Sequence, residues 1–255
     1  MRLRGKVILV TGGSGGIGSS TAVECAKEGA QSVYITYFGS PEKAAAVVQR
    51  IKGSGSTGYS VKVDVSRRND AQALAKQIVE KEGRIDGAVC YAGYPMDKGI
   101  WFGDFLHLSE EQVRKPLQVD VEGSLYTAQA VLPFMLEKNR GSIVLVSSTP
   151  GLVGDVAGIP YALGKAANAN LARCLAQLYG ARGVRANAIA PGSIGTPANL
   201  AALAPKDLET LAGEASLGRF GTPEEVARIA IFLLSEDSSF ITGQTLICDG
   251  GTVFR

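Results

Sequence analysis

The stretch that most restricts what this chain can fold into is Val7-Ile8-Leu9-Val10-Thr11-Gly12-Gly13-Ser14-Gly15-Gly16-Ile17-Gly18. Its four leading apolar residues, three of them β-branched, predict a strand buried on both faces, as in a parallel sheet. A glycine-rich turn follows at once. Ser19 to Glu28 then predict a helix ended by Gly29. Strand, glycine turn and helix in direct succession form a phosphate-binding start. Gly12 permits the tight turn, and Gly16 and Gly18 remove side chains that would hold a pyrophosphate away from the backbone. The helix N-terminus offers unpaired N–H groups and the positive end of its dipole to the anion. A glycine turn alone also fits a strand–helix junction that binds nothing, because glycine is abundant here, 32 of 255 residues. Residues further along decide between the two.

The rest of the chain alternates in the same way. Strands are predicted at 32–37, 59–63, 86–91, 142–147, 184–189 and 244–248. Helices are predicted at 41–52, 70–82, 109–118, 123–138, 160–180, 197–213 and 223–235, with a looser aromatic stretch at 93–105. Regular alternation requires parallel strands with right-handed crossovers. The expected fold class is therefore α/β: a single doubly wound Rossmann domain over 1–255 with a mainly parallel seven-stranded sheet. The alanine-rich segment within 194–215 is expected to cover the substrate.

Composition narrows the function. Formal charge is only +2, and no basic run exceeds Arg67-Arg68, so neither a nucleic acid nor a membrane surface is expected as a partner. The apolar run behind the basic residues Arg2 and Arg4 is too short for a signal peptide, which points to the cytoplasm. Cys25, Cys90, Cys174 and Cys248 lie 65, 84 and 74 positions apart, without metal-ligand spacing, and are expected to be small buried thiols; no metal is expected. The one histidine, His107, reads as structural. A serine hydrolase would need it, and no G-x-S-x-G elbow exists.

The chemistry concentrates at Tyr161-Ala162-Leu163-Gly164-Lys165. Four residues apart on a helix, Tyr161 and Lys165 share one face. Ser148 ends the fifth strand, 13 residues earlier. In an open α/β sheet ligands bind beyond the carboxyl ends of the strands, where the first glycine turn also points. A ketone becoming an alcohol needs a proton on oxygen. A free tyrosine ionises near pH 10, about three units too high for work at neutrality, and a neighbouring cation favours its phenolate. A serine hydroxyl can donate to the developing oxyanion.

Together with Thr11-Gly12-x-x-x-Gly16-x-Gly18, these residues resemble the classical short-chain dehydrogenase/reductases, and the C-terminal segments 218–226 and 240–251 resemble 3-oxoacyl-carrier-protein reductases. The resemblance covers nearly the whole chain. It implies Ser148, Tyr161 and Lys165 as catalytic residues, with Asp120 where the family has a fourth, an asparagine. It implies that Asp64-Val65 contacts adenine, that Ala92-Gly93 approaches a ribose, and that the segment with Pro191 and Gly192 lines the nicotinamide. It implies that Ile194 and Thr196 touch its carboxamide and the phosphates. Gly12, Ser14, Gly16, Ile17 and Gly18, with Tyr37, Phe38, Tyr91, Tyr161 and Lys165, complete the expected cofactor-binding set. Cys90-Tyr91 replaces an asparagine pair of the family. Asp120 is expected either to lie near Lys165, where its backbone carbonyl keeps a water site, or to face solvent.

The expected activity is an NAD(P)(H)-dependent interconversion of a carbonyl and a secondary alcohol, similar to that of 3-oxoacyl-carrier-protein reductases, in a homotetramer. NADP(H) is favoured over NAD(H), because the second strand ends without an acid before Glu42; Thr36, Ser40 and Lys43 would bind the 2′-phosphate. Trp101, Phe102 and Phe105 are candidates for lining an apolar substrate pocket. A sugar-nucleotide epimerase needs more room for its substrate. A non-catalytic dinucleotide sensor or interaction protein is the alternative, and would be marked by loss of Tyr161 or Lys165.

Overall fold

Each residue of the first strand alternates between two apolar layers, and the molecule is built outward from that fact. The computed structural model describes residues 1–254. Its first half runs β1 (Val7–Thr11), α1 (Gly16–Lys27), β2 (Ser32–Tyr37), α2 (Pro41–Gly53), β3 (Thr57–Lys62), α3 (Arg68–Glu82) and β4 (Gly87–Cys90). The second half holds α4 (Lys98–Trp101), α5 (Glu110–Leu117), α6 (Gly123–Glu137), β5 (Gly141–Val146), α7 (Pro150–Val153) and α8 (Ile159–Tyr179). It closes with β6 (Val184–Pro191), α9 (Pro197–Ala202), α10 (Pro205–Glu214), α11 (Pro223–Leu234) and β7 (Thr245–Cys248).

The seven strands form one sheet in the order β3-β2-β1-β4-β5-β6-β7, and every pairing is parallel. Val7 and Leu9 enter the core under α3, α6 and α8. Ile8 and Val10 enter the core under α1, α2 and α11. Burial on both faces explains why these strands read as continuous apolar runs. Strand order reverses between β1 and β4, so the crossovers diverge there and leave a crevice at the carboxyl edge.

Three segments depart from the sequence reading. The predicted helix over 197–213 is broken at Leu203-Ala204, because Pro205 forces Ala204 into an extended conformation (φ −72°, ψ 153°). The predicted helices at 109–118 and 123–138 are continuous. A π-turn, Gln118–Glu122, joins α5 to α6 and carries Asp120. The loose stretch after β4 contains α4, whose start is capped by the Asp97 carboxylate accepting from the Gly99 and Ile100 amides.

The glycine turn also differs in detail. Gly12 has φ +64°, and a Cβ there would lie 2.7 Å from the Ala92 nitrogen, so the turn and the β4 exit touch backbone to backbone. Gly18 is required by the turn itself, since its Cβ would lie 2.5 Å from the Gly12 carbonyl oxygen. At Gly15 a Cβ would meet nothing within 4 Å. Gly18→Ala is therefore expected to cost about 1–3 kcal/mol of stability through overpacking, and Gly15→Ala to stay within about 0.5 kcal/mol of the parent. Chemical denaturation of both variants measures the difference.

Candidate active site

Tyr161 and Lys165 sit in the first two turns of α8. The chain turns into this helix through Gly158 (φ +61°), and Pro160 stands in its first turn. Two contacts hold α8 against the end of β5: the Ser147 hydroxyl donates to the Lys165 carbonyl (2.8 Å), and the Asn168 amide donates to the Val146 carbonyl (3.2 Å). Lys165 Nζ lies 5.3 Å from the centre of the Tyr161 ring. The Ser148 hydroxyl donates to the Pro191 carbonyl at 3.2 Å. Rotation about its Cα–Cβ bond is needed before it can donate elsewhere.

Asp120 faces Lys165, not solvent. Its side chain is 1% exposed, and Oδ1 is 2.7 Å from Lys165 Nζ. The approach is close without being aligned as a hydrogen bond, so the contact is best described as a buried ion pair. The other carboxylate oxygen accepts from the Tyr94 amide at 3.0 Å. The Asp120 backbone carbonyl accepts from the Ser124 hydroxyl at 2.9 Å, so one of its two lone pairs is already engaged. Two glycines make room: a Cβ on Gly93 would lie 3.0 Å from Asp120 Oδ1, and one on Gly164 3.1 Å from Asp120 Cβ. Burial pushes the Lys165 ammonium toward deprotonation. Burial is the largest single effect, but the Asp120 carboxylate, Tyr161 and Cys90 together outweigh it and hold the lysine above its ordinary range.

A groove of about 280 Å³ runs from the glycine turn to this cluster. Gly12, Ile17 and Gly18 line its end at the glycine turn, and Tyr91 and Gly93 line its middle. Pro191, Gly192, Ile194 and Thr196 form the opposite wall, and Ser148, Asp120, Tyr161 and Lys165 the inner end. The groove suits a nicotinamide dinucleotide. At its glycine-turn end α1 begins with no side-chain cap and no acid in its first turn, leaving its amides for an anion. Gly16 (φ +45°) faces Thr196, whose methyl a Cβ there would approach to 3.2 Å.

Other predicted cofactor residues stand outside this groove. Ala92 packs its backbone on Gly12, and Val65 lies under Gly123. The Asp64 carboxylate accepts from the Ser66 amide and hydroxyl. Tyr37 ends β2 and Phe38 is 68% exposed beside it. Ser14 is half-buried in the turn. Thr36 does not fit a 2′-phosphate site, because it is buried and its hydroxyl accepts from the Gly12 amide at 3.1 Å. The sequence reading missed Tyr94 and Asn199, which line both this groove and the cleft beside it. Their positions carried signals: Tyr94 follows Ala92-Gly93, and Asn199 lies three residues past the cap Thr196, to which its amide donates.

The adjoining cleft is about 700 Å³ and meets the groove at Ser148 and Tyr161. Trp101 stands over Tyr161 with ring centres 5.0 Å apart. Phe102 also lines the cleft; Phe105 does not, and is 62% exposed. His107 is on the surface, 2.6 Å from Asp104 Oδ2. Cys25 and Cys90 are buried, as expected, and burial pushes the Cys90 thiol up to about 12. Cys174 is exposed and Cys248 half-buried, contrary to expectation. Cys174 sits on the outer side of α8, and Cys248 lies on the edge strand β7, packed against the core under α1, α2 and α11.

Known proteins carry the same architecture. A family model described as enoyl-(acyl carrier protein) reductase matches residues 12–253. The chain belongs to the short-chain dehydrogenase/reductase family. It is 36% identical over 253 residues to the 3-oxoacyl-[acyl-carrier-protein] reductase FabG of Thermotoga maritima, covering 99% of this chain and 100% of that one. It is 35% identical to the 2-keto-3-deoxy-L-fuconate dehydrogenase of Xanthomonas campestris, covering 98% of this chain and 81% of that one. The solved structure titled "Crystal structure of gox2181" superposes with a TM-score of 0.91 at 30% identity, covering 98% and 96% of the two chains. The protein is thus a nicotinamide-dependent carbonyl/alcohol oxidoreductase similar to 3-oxoacyl-carrier-protein reductases.

The ion pair sets a pH signature. Asp120→Asn removes the negative charge that faces Lys165. Lys165 loses the largest of the interactions that together offset its burial, so it deprotonates earlier and an alkaline limb enters. A profile of kcat/KM against pH is expected to gain or shift its alkaline limb downward, with activity kept or raised below it; an undisplaced profile contradicts this coupling.

Proposed function

We propose that the chain works as one catalytic unit that interconverts a ketone and a secondary alcohol with Tyr161 as acid and base. The observation that carries this reading is the meeting of the two hollows at Tyr161 and Ser148, with Lys165 beneath the tyrosine ring. When bound in the groove, the nicotinamide supplies or accepts hydride at the carbonyl carbon. Tyr161 gives its phenolic proton to the carbonyl oxygen during reduction and recovers it from the alcohol during oxidation. Lys165 keeps a positive charge beside the phenol, 5.3 Å from its ring centre. Ser148, turned from the Pro191 carbonyl, donates to the same oxygen and orients it. Asp120 positions Lys165 and anchors the Tyr94 amide. Segment 194–215 covers the substrate side. The alternative of a non-catalytic sensor gains no support from this arrangement.

We further propose NADP(H) as the cofactor, bound by a working homotetramer in the cytoplasm. No acid stands between Tyr37 and Pro41 to repel a 2′-phosphate. The Ser40 hydroxyl makes no cap bond at the start of α2, and Lys43 is exposed one turn on, so both are available to the phosphate. The family resemblance supports the tetramer, and sedimentation at about four times the 26.6 kDa chain mass tests it.

Two measurements test the catalytic reading. Tyr161→Phe keeps the ring and removes the transferable proton. It is expected to lose at least about a hundredfold in rate with cofactor affinity little changed, and near-parental turnover would contradict the assignment. The ratio of kcat/KM for NADPH and NADH is expected to favour NADPH, and Lys43→Ala to reduce that ratio. A preference for NADH overturns the cofactor assignment.

A further inference from the structure

The cleft beside Tyr161 is one-sided in charge. Asp97, Asp155, Asp207 and Glu214 border it, and no lysine, arginine or histidine is among the described residues that line it. None of these four carboxylates lies within 4.0 Å of a cationic nitrogen among the described residues. Lys98 and Lys206 adjoin two of them in sequence but do not line the cleft. The nearest cation on the groove side, Lys165, is already matched by Asp120. The four acids come from three different parts of the fold: the loop into α4, the loop before α8, and α10.

Between the acids and Tyr161 the wall is apolar. Trp101 is fixed there: its carbonyl accepts from the Gly158 amide at 2.9 Å, and a Cβ on Gly158 would lie 2.8 Å from its ring. Met96 and Phe102 extend this wall while 43% and 67% exposed. Apolar surface left open within a cleft marks a place for an apolar ligand. A concave site rimmed by one sign of charge focuses that field on whatever enters.

Resting on the carbonyl–alcohol reading above, we propose that the cleft selects substrates by charge: it takes an aryl-sized ketone whose far end is an amine, and it discriminates against carboxylates and phosphate-bearing thioesters. Trp101 and its apolar neighbours hold the ring. The four carboxylates meet the ammonium at the mouth. An anionic group placed there is repelled and finds no cation to pair with. Carrier-protein thioesters, the kind of substrate named for the Thermotoga maritima relative, bear a phosphate on their pantetheine arm and so fall on the disfavoured side.

The test uses acetophenones carrying a para aminomethyl, hydroxymethyl or carboxylate group, with the full-length enzyme and its preferred cofactor. At low ionic strength kcat/KM is expected to fall in that order, with at least about tenfold between amine and carboxylate. Near 1 M salt, where the screening length is about 3 Å, the spread is expected to shrink severalfold. The combined variant Asp97→Asn, Asp155→Asn, Asp207→Asn, Glu214→Gln is expected to bring the amine-to-carboxylate ratio close to one. The ratio is read within each variant, so a change in overall rate cancels. Calorimetric affinities of the three corresponding alcohols are measured alongside. If none of the ketones is reduced but the affinities keep the order, the catalytic reading fails and charge selection stands. A carboxylate accepted as well as the amine overturns the proposal. So does a ratio unchanged in the combined variant, or a carrier-protein 3-oxoacyl thioester preferred over its uncharged N-acetylcysteamine analogue.

Discussion

Parallel strands cannot be joined by tight hairpins, and that constraint governs the molecule. Each connection must cross a face of the sheet, so each face becomes covered by helices and buried. Only the carboxyl edge at the reversal between β1 and β4 stays open. The glycine turn after β1, the Ala92-Gly93 exit of β4 and Ser148 after β5 all arrive at that edge. The site is assembled by topology before any side chain takes part. The side chains then settle what the crevice does.

Among them, the Asp120–Lys165 pair is the costliest to bury. Two opposite charges, each nearly removed from water, persist only when each is compensated. Here the carboxylate has the ammonium on one oxygen and the Tyr94 amide on the other. Gly93 and Gly164 leave the space that both groups need. The loop after β4, the π-turn and α8 are therefore tied together at one point, directly under the tyrosine. A perturbation of any of the three elements reaches Tyr161 through that point.

Much of this was legible in the sequence, for physical reasons. The β-branched run Ser32–Tyr37 marked β2 to the residue, and Ser109 with Gln112 marked the start of α5 through a capping box. Tyr161 and Lys165 declared a shared face by their spacing. What was missed depended on contacts between distant segments. The Thr36 hydroxyl reads as a free ligand until the Gly12 amide is seen to claim it. The direction of Asp120 depends on a π-turn that no local periodicity encodes. The acids of the cleft are scattered from 97 to 214 and become a set only when folded. The break at Ala204-Pro205 was different, since proline's effect on its predecessor was readable and the alanine-rich pattern obscured it.

The π-turn has a consequence for the phase of the helix. A π-turn amounts to one extra residue wound into an α-helix. Successive residues of an α-helix are rotated by about 100°. Shortening Gln118–Glu122 by one residue ahead of Asp120 would restore an unbroken helix from α5 into α6, an easier structure to form. It would also turn everything on one side of the junction by that angle relative to the other. Asp120 could keep its place above Lys165 only if α5 swung away from α8, or α5 could keep its packing only if Asp120 left the lysine. The extra residue acts as a phase adjuster that lets one continuous rod satisfy two neighbours at incompatible rotations.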